Sequence, residues 1–543
     1  MDIKFYGAAK IVTGSNYLIE TDKYKILVDC GMFQGSKELE RKNFDEFPYD
    51  PKDIDLLFLT HAHIDHSGRI PKLVKEGFKG RIICTSPTYD LSKIMLKDSA
   101  KIQESDVEWE NKKRERSGKS MLESLYTIGD AENSLNYFEP YFYDQKIKIN
   151  DDIEVRFKDA GHILGSAIIE LWVRESEENI KIVFSGDLGV ADRPIIRSPE
   201  YIDEADYLVV ESTYGNRLHD SYEDSSEKLI EIINKTALRG GTVIIPSFAV
   251  GRTQELIYML NNYFEHNKEL EEYMRIPIYI DSPMAIEATE AFKKNSSSFN
   301  DKARDLILSG DNPFTFSNLR YTKATEESKL LNKYELPKVI ISASGMATAG
   351  RVRHHLKHNL WDKKNSLVFV GYQANGTLGR ILLDGVKNVK LLGEDIKVGA
   401  EIYSLEGFSA HADQKMLLDW IGAFKVKPKK IFIVHGEEEE AGALSQLIEN
   451  LYKIKTLVPN LGDSFKVEKN DFRLKERGQL ETERLKENIE NELEVTYNLF
   501  EALRDKSSDI TDGKLLASKY DGIKNQLIDL QHILMDLNIT MGK

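Results

Sequence analysis

His61, His63, Asp65 and His66 fall within six consecutive residues, directly after the apolar run Leu56-Leu57-Phe58-Leu59. All four side chains offer nitrogen or oxygen donors of the kind that bind zinc and similar divalent ions. Imidazoles at i and i+2 on an extended loop can face one side. The Asp-His pair that follows can face a second centre about 3.5–4 Å away, the usual separation in two-metal sites. A lone loop histidine is more often structural than a ligand. Three of the chain's 12 histidines with an aspartate in six residues are not explained that way. The two cysteines, Cys30 and Cys84, form neither a Cys-x-x-Cys pair nor a disulfide framework, so a metal centre must be built from His and carboxylates.

The elements that would position these donors share a pattern. Apolar runs read as buried strands and end on polar residues: Ile26-Leu27-Val28 at Asp29, Leu56 to Leu59 at Thr60-His61, Val183-Phe184-Ser185 at Gly186-Asp187, and Tyr207 to Val210 at Glu211. In sheets layered with helices, sites gather at strand ends because the loops there are free to carry ligands. One such carboxylate alone is usually a cap or turn residue; the repetition is the signal. Two metals need more ligands and a bridging carboxylate. His162 in AGHILG, Asp187 in SGD and His435 in VHGE are the candidates.

The segments HAHIDH, AGHILGSA, SGDLG and VHGE together resemble the metallo-β-lactamase superfamily. Their spacing resembles its β-CASP nuclease branch, and within it the bacterial and archaeal relatives of the polyadenylation cleavage endonuclease. VVESTYG with Glu211, GFSAHAD with His411, IFIVHGE with His435, and the stretches GRTQE, SGMATAGR and GYQANGTLGR carry that narrower likeness, over about residues 1 to 465. The resemblance implies an α/β fold: a four-layer αββα sandwich with an inserted β-CASP α/β domain. It also implies roles. His61, His63 and His162 would bind one metal and Asp65, His66 and His435 the other, with Asp187 bridging. Asp29 would orient the cluster from behind the ligands. His411 would be the general acid, held by Glu211, and Ser409 would contact the scissile phosphate. The implied cofactor is two zinc ions, with manganese as the alternative working ion.

The chemistry is coherent on physical grounds. A phosphodiester is anionic. Two divalent ions would neutralise its charge and lower the pKa of a water toward neutrality, with Asp65 steering the proton. The leaving 3′-oxygen needs a proton, and a histidine beside a carboxylate is suited to give one near pH 7. The Gly-rich run Ser344 to Gly350 precedes an expected helix starting at Arg351, whose first N–H groups could hold a phosphate. Gly345 and Arg351, with Arg252, Thr377 and Arg380, are therefore candidate substrate-groove residues, although a solvated basic face or a plain turn reads equally well. The resulting expectation is a metal-dependent ribonuclease acting on single-stranded RNA, as endonuclease or 5′ exonuclease. A small-molecule ester, thioester or lactam hydrolase would need neither the inserted domain nor His411. A non-catalytic RNA-binding subunit would tolerate lost ligands, and here every ligand is kept.

Composition sets the frame. The chain has 543 residues, 41% hydrophobic and 30% charged, ordinary for a globular protein of several domains. Its net charge of −15 counts against whole-surface nucleic-acid binding and leaves room only for a local groove. No apolar run approaches the ~18–20 residues that span a membrane. The opening MDIKFYGAAK carries no signal-peptide core, so a cytoplasmic setting without membrane contact is expected. The expected divisions are 1–208 and 395–466 for the sandwich, 209–394 for the insert and 467–543 for a helical extension. In that extension Leu516, Tyr520, Ile523, Leu527, Leu530, Leu534 and Leu537 form a heptad stripe, with an earlier one through Leu485, Ile489, Leu493 and Phe500, which suggests a helical hairpin and a homodimer.

Overall fold

A computed structural model describes residues 1–175, 178–267, 276–374, 376–468 and 472–476, with single positions at 493 and 497. Met1–Arg477 forms one compact unit. The heptad stripes and the expected dimer tail lie outside the described residues.

Two mixed sheets face each other. Among the described residues the first has eight strands, in the spatial order Phe472–Glu476, Ser464–Val467, Asp2–Phe5, Tyr17–Glu20, Lys25–Val28, Leu56–Phe58, Arg81–Thr85 and Phe138–Tyr141. The second has seven: Lys455–Leu457, Lys430–Val434, Tyr207–Glu211, Glu178–Phe184, Ala167–Glu175, Ile153–Asp159 and Ile147–Lys148. Their inner faces close over Phe5, Tyr17, Phe58, Phe157, Phe184, Phe432 and Phe465. The strand Ile153–Asp159 shows why: its alternate residues Ile153, Val155 and Phe157 are fully buried in that core, as the two-residue period of a strand requires. Each such side chain contributes about 1.5–3 kcal/mol by burial.

Helices cover both outer faces. Ile70–Lys75, Ser86–Arg116 and Ile128–Ser134 pack through Leu73, Leu96 and Ala131 on the first sheet. Gln414–Gly422 and Glu438–Tyr452 pack through Leu417, Ile421 and Leu444 on the second. The expected αββα sandwich is present. The long charged helix starts where a sequence rule would place it, since the Thr85 side chain caps the N–H of Thr88 and Pro87 sits in the first turn.

The insert is built on a third sheet that has, among the described residues, six parallel strands: Leu319–Tyr321, Ile278–Ile280, Lys338–Ser342, Thr242–Pro246, Ser366–Phe369 and Glu401–Ser404. One of its cores also takes Ala62, Leu91, Ile163 and Ile195 from the sandwich, so insert and sandwich share a packed interface beside the His61–His66 segment. The sheet pairings show which sheet each strand near the domain crossings joins. Tyr207–Glu211 lies between two strands of the second sheet, so the crossing into the insert falls after Glu211 rather than at 208/209. Glu401–Ser404 pairs with Ser366–Phe369, so this strand joins the third sheet. Phe472–Glu476 pairs with Ser464–Val467, so the sandwich continues past 466.

In the first sheet the strands Lys25–Val28 and Leu56–Phe58 run parallel, and in the second so do Glu178–Phe184, Tyr207–Glu211 and Lys430–Val434. Their carboxyl ends carry Asp29, the His61–His66 segment, Asp187, Glu211 and His435.

Candidate metal centre

Two sets of donors converge. In the first, His61 Nε2 lies 3.1 Å from His63 Nδ1, and His162 Nε2 lies 3.2 Å from the same atom. In the second, His66 Nε2 lies 3.2 Å from His435 Nε2, which is 3.5 Å from Asp65 Oδ2. Asp187 stands between them. Its Oδ2 is 3.4 Å from His61 Nε2 and 3.6 Å from His162 Nε2, while its Oδ1 is 3.3 Å from His66 Nε2. Asp187 Oδ1 is buried without a hydrogen-bond donor. Tetrahedral nitrogen ligands about 2.0–2.1 Å from a zinc-sized ion would themselves be roughly 3.3 Å apart. The donor types, the spacing and the unserved carboxylate oxygen all fit a divalent ion in each set.

The surroundings fix the rings. Asp29 accepts from Thr60 N and Thr60 Oγ1, both at 2.8 Å, and meets His66 Nδ1 at 2.7 Å, which leaves His66 Nε2 for the cluster. His435 Nδ1 meets Thr213 Oγ1 at 3.1 Å, which likewise frees Nε2. His61 Nδ1 meets Thr60 Oγ1 at 3.1 Å. Partners of this kind set the tautomer and orientation of a metal-binding histidine. Asp29 and His435 hold positive φ values of 59° and 50°, uncommon for residues with a Cβ. Both sit where a strand must turn sharply to aim a side chain at the cluster.

Electrostatics follow from burial. Desolvation, with the neighbouring His66, pushes His61 well below the ordinary imidazole range, and desolvation lowers His63 to about 4. Desolvation and His411 lower His162. These three rings are thus neutral, the form that binds metal. Burial also works against a charge on His66, but Asp187 and Asp29 outweigh it and favour the charged form, so an ion taken up at Nε2 would displace that proton. For Asp187, burial is overcome by His435, His66 and His61, which hold the carboxylate well below its usual range.

Beside the cluster, His411 Nδ1 lies 3.3 Å from both oxygens of Glu211. Glu211 in turn accepts from Leu188 N at 2.6 Å and Thr213 N at 3.3 Å. Burial disfavours a charged His411, yet Glu211, Asp187 and Asp65 outweigh it and raise the ring to about 9.

Three contributors are not legible in the sequence. Arg193, buried in the loop after Glu178–Phe184, donates from Nη2 to the carbonyls of Gly407 and Ser409, the latter at 2.9 Å. It thereby braces the loop that carries His411. Its other arm meets Glu255 Oε1 at 3.3 Å. Thr60 and Thr213 were equally hidden, because a threonine beside a metal histidine has no signature of its own.

The expected groove residues fare differently. Ser409 is buried and hydrogen-bonds Tyr214. Arg252 is buried against Glu255. Arg351 pairs with Asp281 at 2.7 Å and donates to the carbonyls of Thr322 and Lys323. Thr377 caps the helix Leu378–Leu383, and Arg380 pairs with Asp384 at 3.0 Å. Gly345 packs against the ring of Phe248. The side chains of Ser409, Arg252, Arg351, Thr377 and Arg380 thus each have a partner within the protein. His355, four residues after Arg351, also turns inward, to Asp281 Oδ2 at 2.6 Å.

A sandwich of this kind with two His/Asp donor sets at its strand ends defines a metallo-hydrolase. The chain belongs to the β-CASP branch of the metallo-β-lactamase superfamily: it matches the metallo-β-lactamase superfamily over residues 10–247, the Beta-Casp domain over 253–382 and a Zn-dependent metallo-hydrolase RNA specificity domain over 395–459. It is 38% identical over 448 residues to a protein named as a ribonuclease in Thermus thermophilus, covering 82% of this chain and 96% of that one. It is 34% identical over 464 residues to an RNase J-like protein of Methanocaldococcus jannaschii, covering 85% and 98%. It is 32% identical over 474 residues to the transcription termination factor FttA of the same organism, covering 86% and 71%. Among the described residues no helix is long and apolar enough to cross a membrane.

Proposed function

We propose that the protein is a two-metal ribonuclease that hydrolyses phosphodiester bonds of single-stranded RNA in cytoplasmic RNA processing or decay. The observation that carries this reading is the Asp187 carboxylate shared between two converging donor sets, with the His411–Glu211 pair alongside. His61, His63 and His162 would hold one ion, Asp65, His66 and His435 the other, and zinc suits this nitrogen-rich donor set. When bound, such a pair supplies positive charge against the phosphodiester and acidity to a water.

The remaining roles belong to the chain. Glu211 engages His411 Nδ1, which leaves Nε2 to deliver a proton to the departing 3′-oxygen. Asp65 orients the proton of the attacking water. Arg193 keeps the His411 loop in register with the cluster. The relatives named ribonuclease and RNase J-like protein support RNA as the substrate. Those named transcription termination factors favour a second setting, in which the same cleavage serves termination.

The test is a substrate panel. Purified, metal-loaded protein is given labelled single-stranded RNA, an activated ester and a β-lactam. RNA cleavage without turnover of the other two is expected. Rapid ester hydrolysis with intact RNA would overturn the proposal.

A further inference from the structure

Phe248 differs from the other aromatic side chains around the cluster. Its ring centroid lies 6.3 Å from that of His63, yet it is 38% exposed. Tyr214, 6.2 Å from the His411 ring, is buried at 3%. An apolar ring left half in water forgoes part of the burial that stabilises a core side chain.

The fold holds it there. Phe248 follows the strand Thr242–Pro246, which opens the third sheet and is flanked by Lys338–Ser342 on one side and Ser366–Phe369 on the other. The chain runs from that strand to Ile278–Ile280 on one side and reaches Ser366–Phe369 on the other only later, from Lys338–Ser342, and loops beyond the carboxyl ends of parallel strands are where crevices form. Each of the three loops brings one residue to the same spot. A Cβ on Gly345 would fall 2.8 and 2.9 Å from ring atoms Cδ2 and Cε2 of Phe248, and one on Gly371 would fall 4.0 Å from Cε2. Glycine at 345 therefore makes room for the ring. The Phe248 carbonyl accepts from Thr253 N at 3.2 Å and Thr253 Oγ1 at 2.7 Å, which fixes the turn.

We propose that Phe248 is the platform on which a nucleobase next to the scissile phosphodiester stacks. The ring offers a π-face and no metal donor, and stacking serves any base because every base has such a face. A base within a duplex has both faces covered by its neighbours, so the platform selects an unpaired strand. This inference rests on the nuclease reading above.

The test is a cycle on an RNA oligonucleotide with one cleavage site, intact or abasic at the nucleotide flanking that site. Wild type, F248L and F248Y are compared at equal metal content. Removing the base is expected to lower wild-type kcat/KM about tenfold, in line with aromatic stacking. F248L should lose the same factor on intact RNA and nothing further on abasic RNA, while F248Y stays near wild type. Equal losses for F248L on both substrates would make the ring a mere wall of the site, and an unchanged F248L would leave it without a role; either result overturns the inference. Wild-type protein that cleaves neither RNA contradicts the nuclease reading itself, a different outcome from an insensitive F248L.

Discussion

The Nδ1 atom of His411 stands 3.3 Å from both carboxylate oxygens of Glu211, and the two residues lie 200 positions apart. The inserted domain separates them in sequence. The carboxylate is fixed by the N–H groups of Leu188 and Thr213, so the ring is aimed by the sandwich rather than by its own loop alone. Replacing His411 by Ala should leave metal content unchanged and lower kcat for RNA cleavage by about 10²–10⁴, the usual contribution of a general acid. Elemental analysis beside single-turnover kinetics checks this. Loss of metal in the variant would make His411 a structural or ligand residue instead.

Asp29 acts on the metal centre through His66, 2.7 Å away. Asp29→Asn keeps the shape but weakens its grip on the His66 ring. Metal affinity should fall about 10–100-fold, as for other residues that orient a metal-binding histidine. A competition titration against a chelating dye measures it, and an unchanged affinity would remove Asp29 from the site.

Arg193 braces the carbonyls of Gly407 and Ser409 from a single guanidinium. Lysine keeps the charge but lacks the planar fork. Arg193→Lys is expected to lower kcat about tenfold with KM and metal content little changed, because small misplacements of a catalytic group reduce rate steeply. If KM rose instead at constant kcat, Arg193 would belong to substrate binding.

Much of the centre was legible because its donors sit at the ends of apolar strands, as with Val183-Phe184 before Asp187 and Ile433-Val434 before His435. A strand pattern is local, and parallel strands bring their carboxyl ends together. What was not legible depends on contacts between distant segments. Nothing near Arg193 in sequence announces that its partners are Gly407 and Ser409. Arg351 reads as a groove residue or part of a basic face, yet it turns with His355 to the buried Asp281, whose place just past the strand Ile278–Ile280 only the fold supplies. That Glu401–Ser404 joins the third sheet is hidden for a similar reason, since a four-residue strand does not reveal which sheet it joins.

Lys338 offers a pH test of stability remote from the centre. Burial lowers its ammonium to about 8. It donates to the carbonyls of Tyr334 and Leu336. The unfolded value is near 10.4. With a folded value below the unfolded one, the native state favours the neutral amine. Its contribution is present above about 10 and is lost as pH falls through about 8. Lys338→Met should therefore raise Tm at pH 7 by more than at pH 10. Equal shifts at the two pH values would contradict it.

Because Phe472–Glu476 belongs to the first sheet, removal of the extension should begin after Arg477. The shortened protein is expected to keep its metal and to change from dimer to monomer by light scattering. An unchanged mass would exclude the extension as a dimer element.

The two donor sets joined by Asp187 are expected to hold two ions, and RNA cleavage is expected to need both. The direct measurement is a zinc titration of metal-free protein, with bound metal and cleavage of labelled single-stranded RNA followed in the same samples. Binding should saturate at two ions per chain, with activity rising as the second is taken up. Saturation at a single ion, or full cleavage in the metal-free protein, would contradict it.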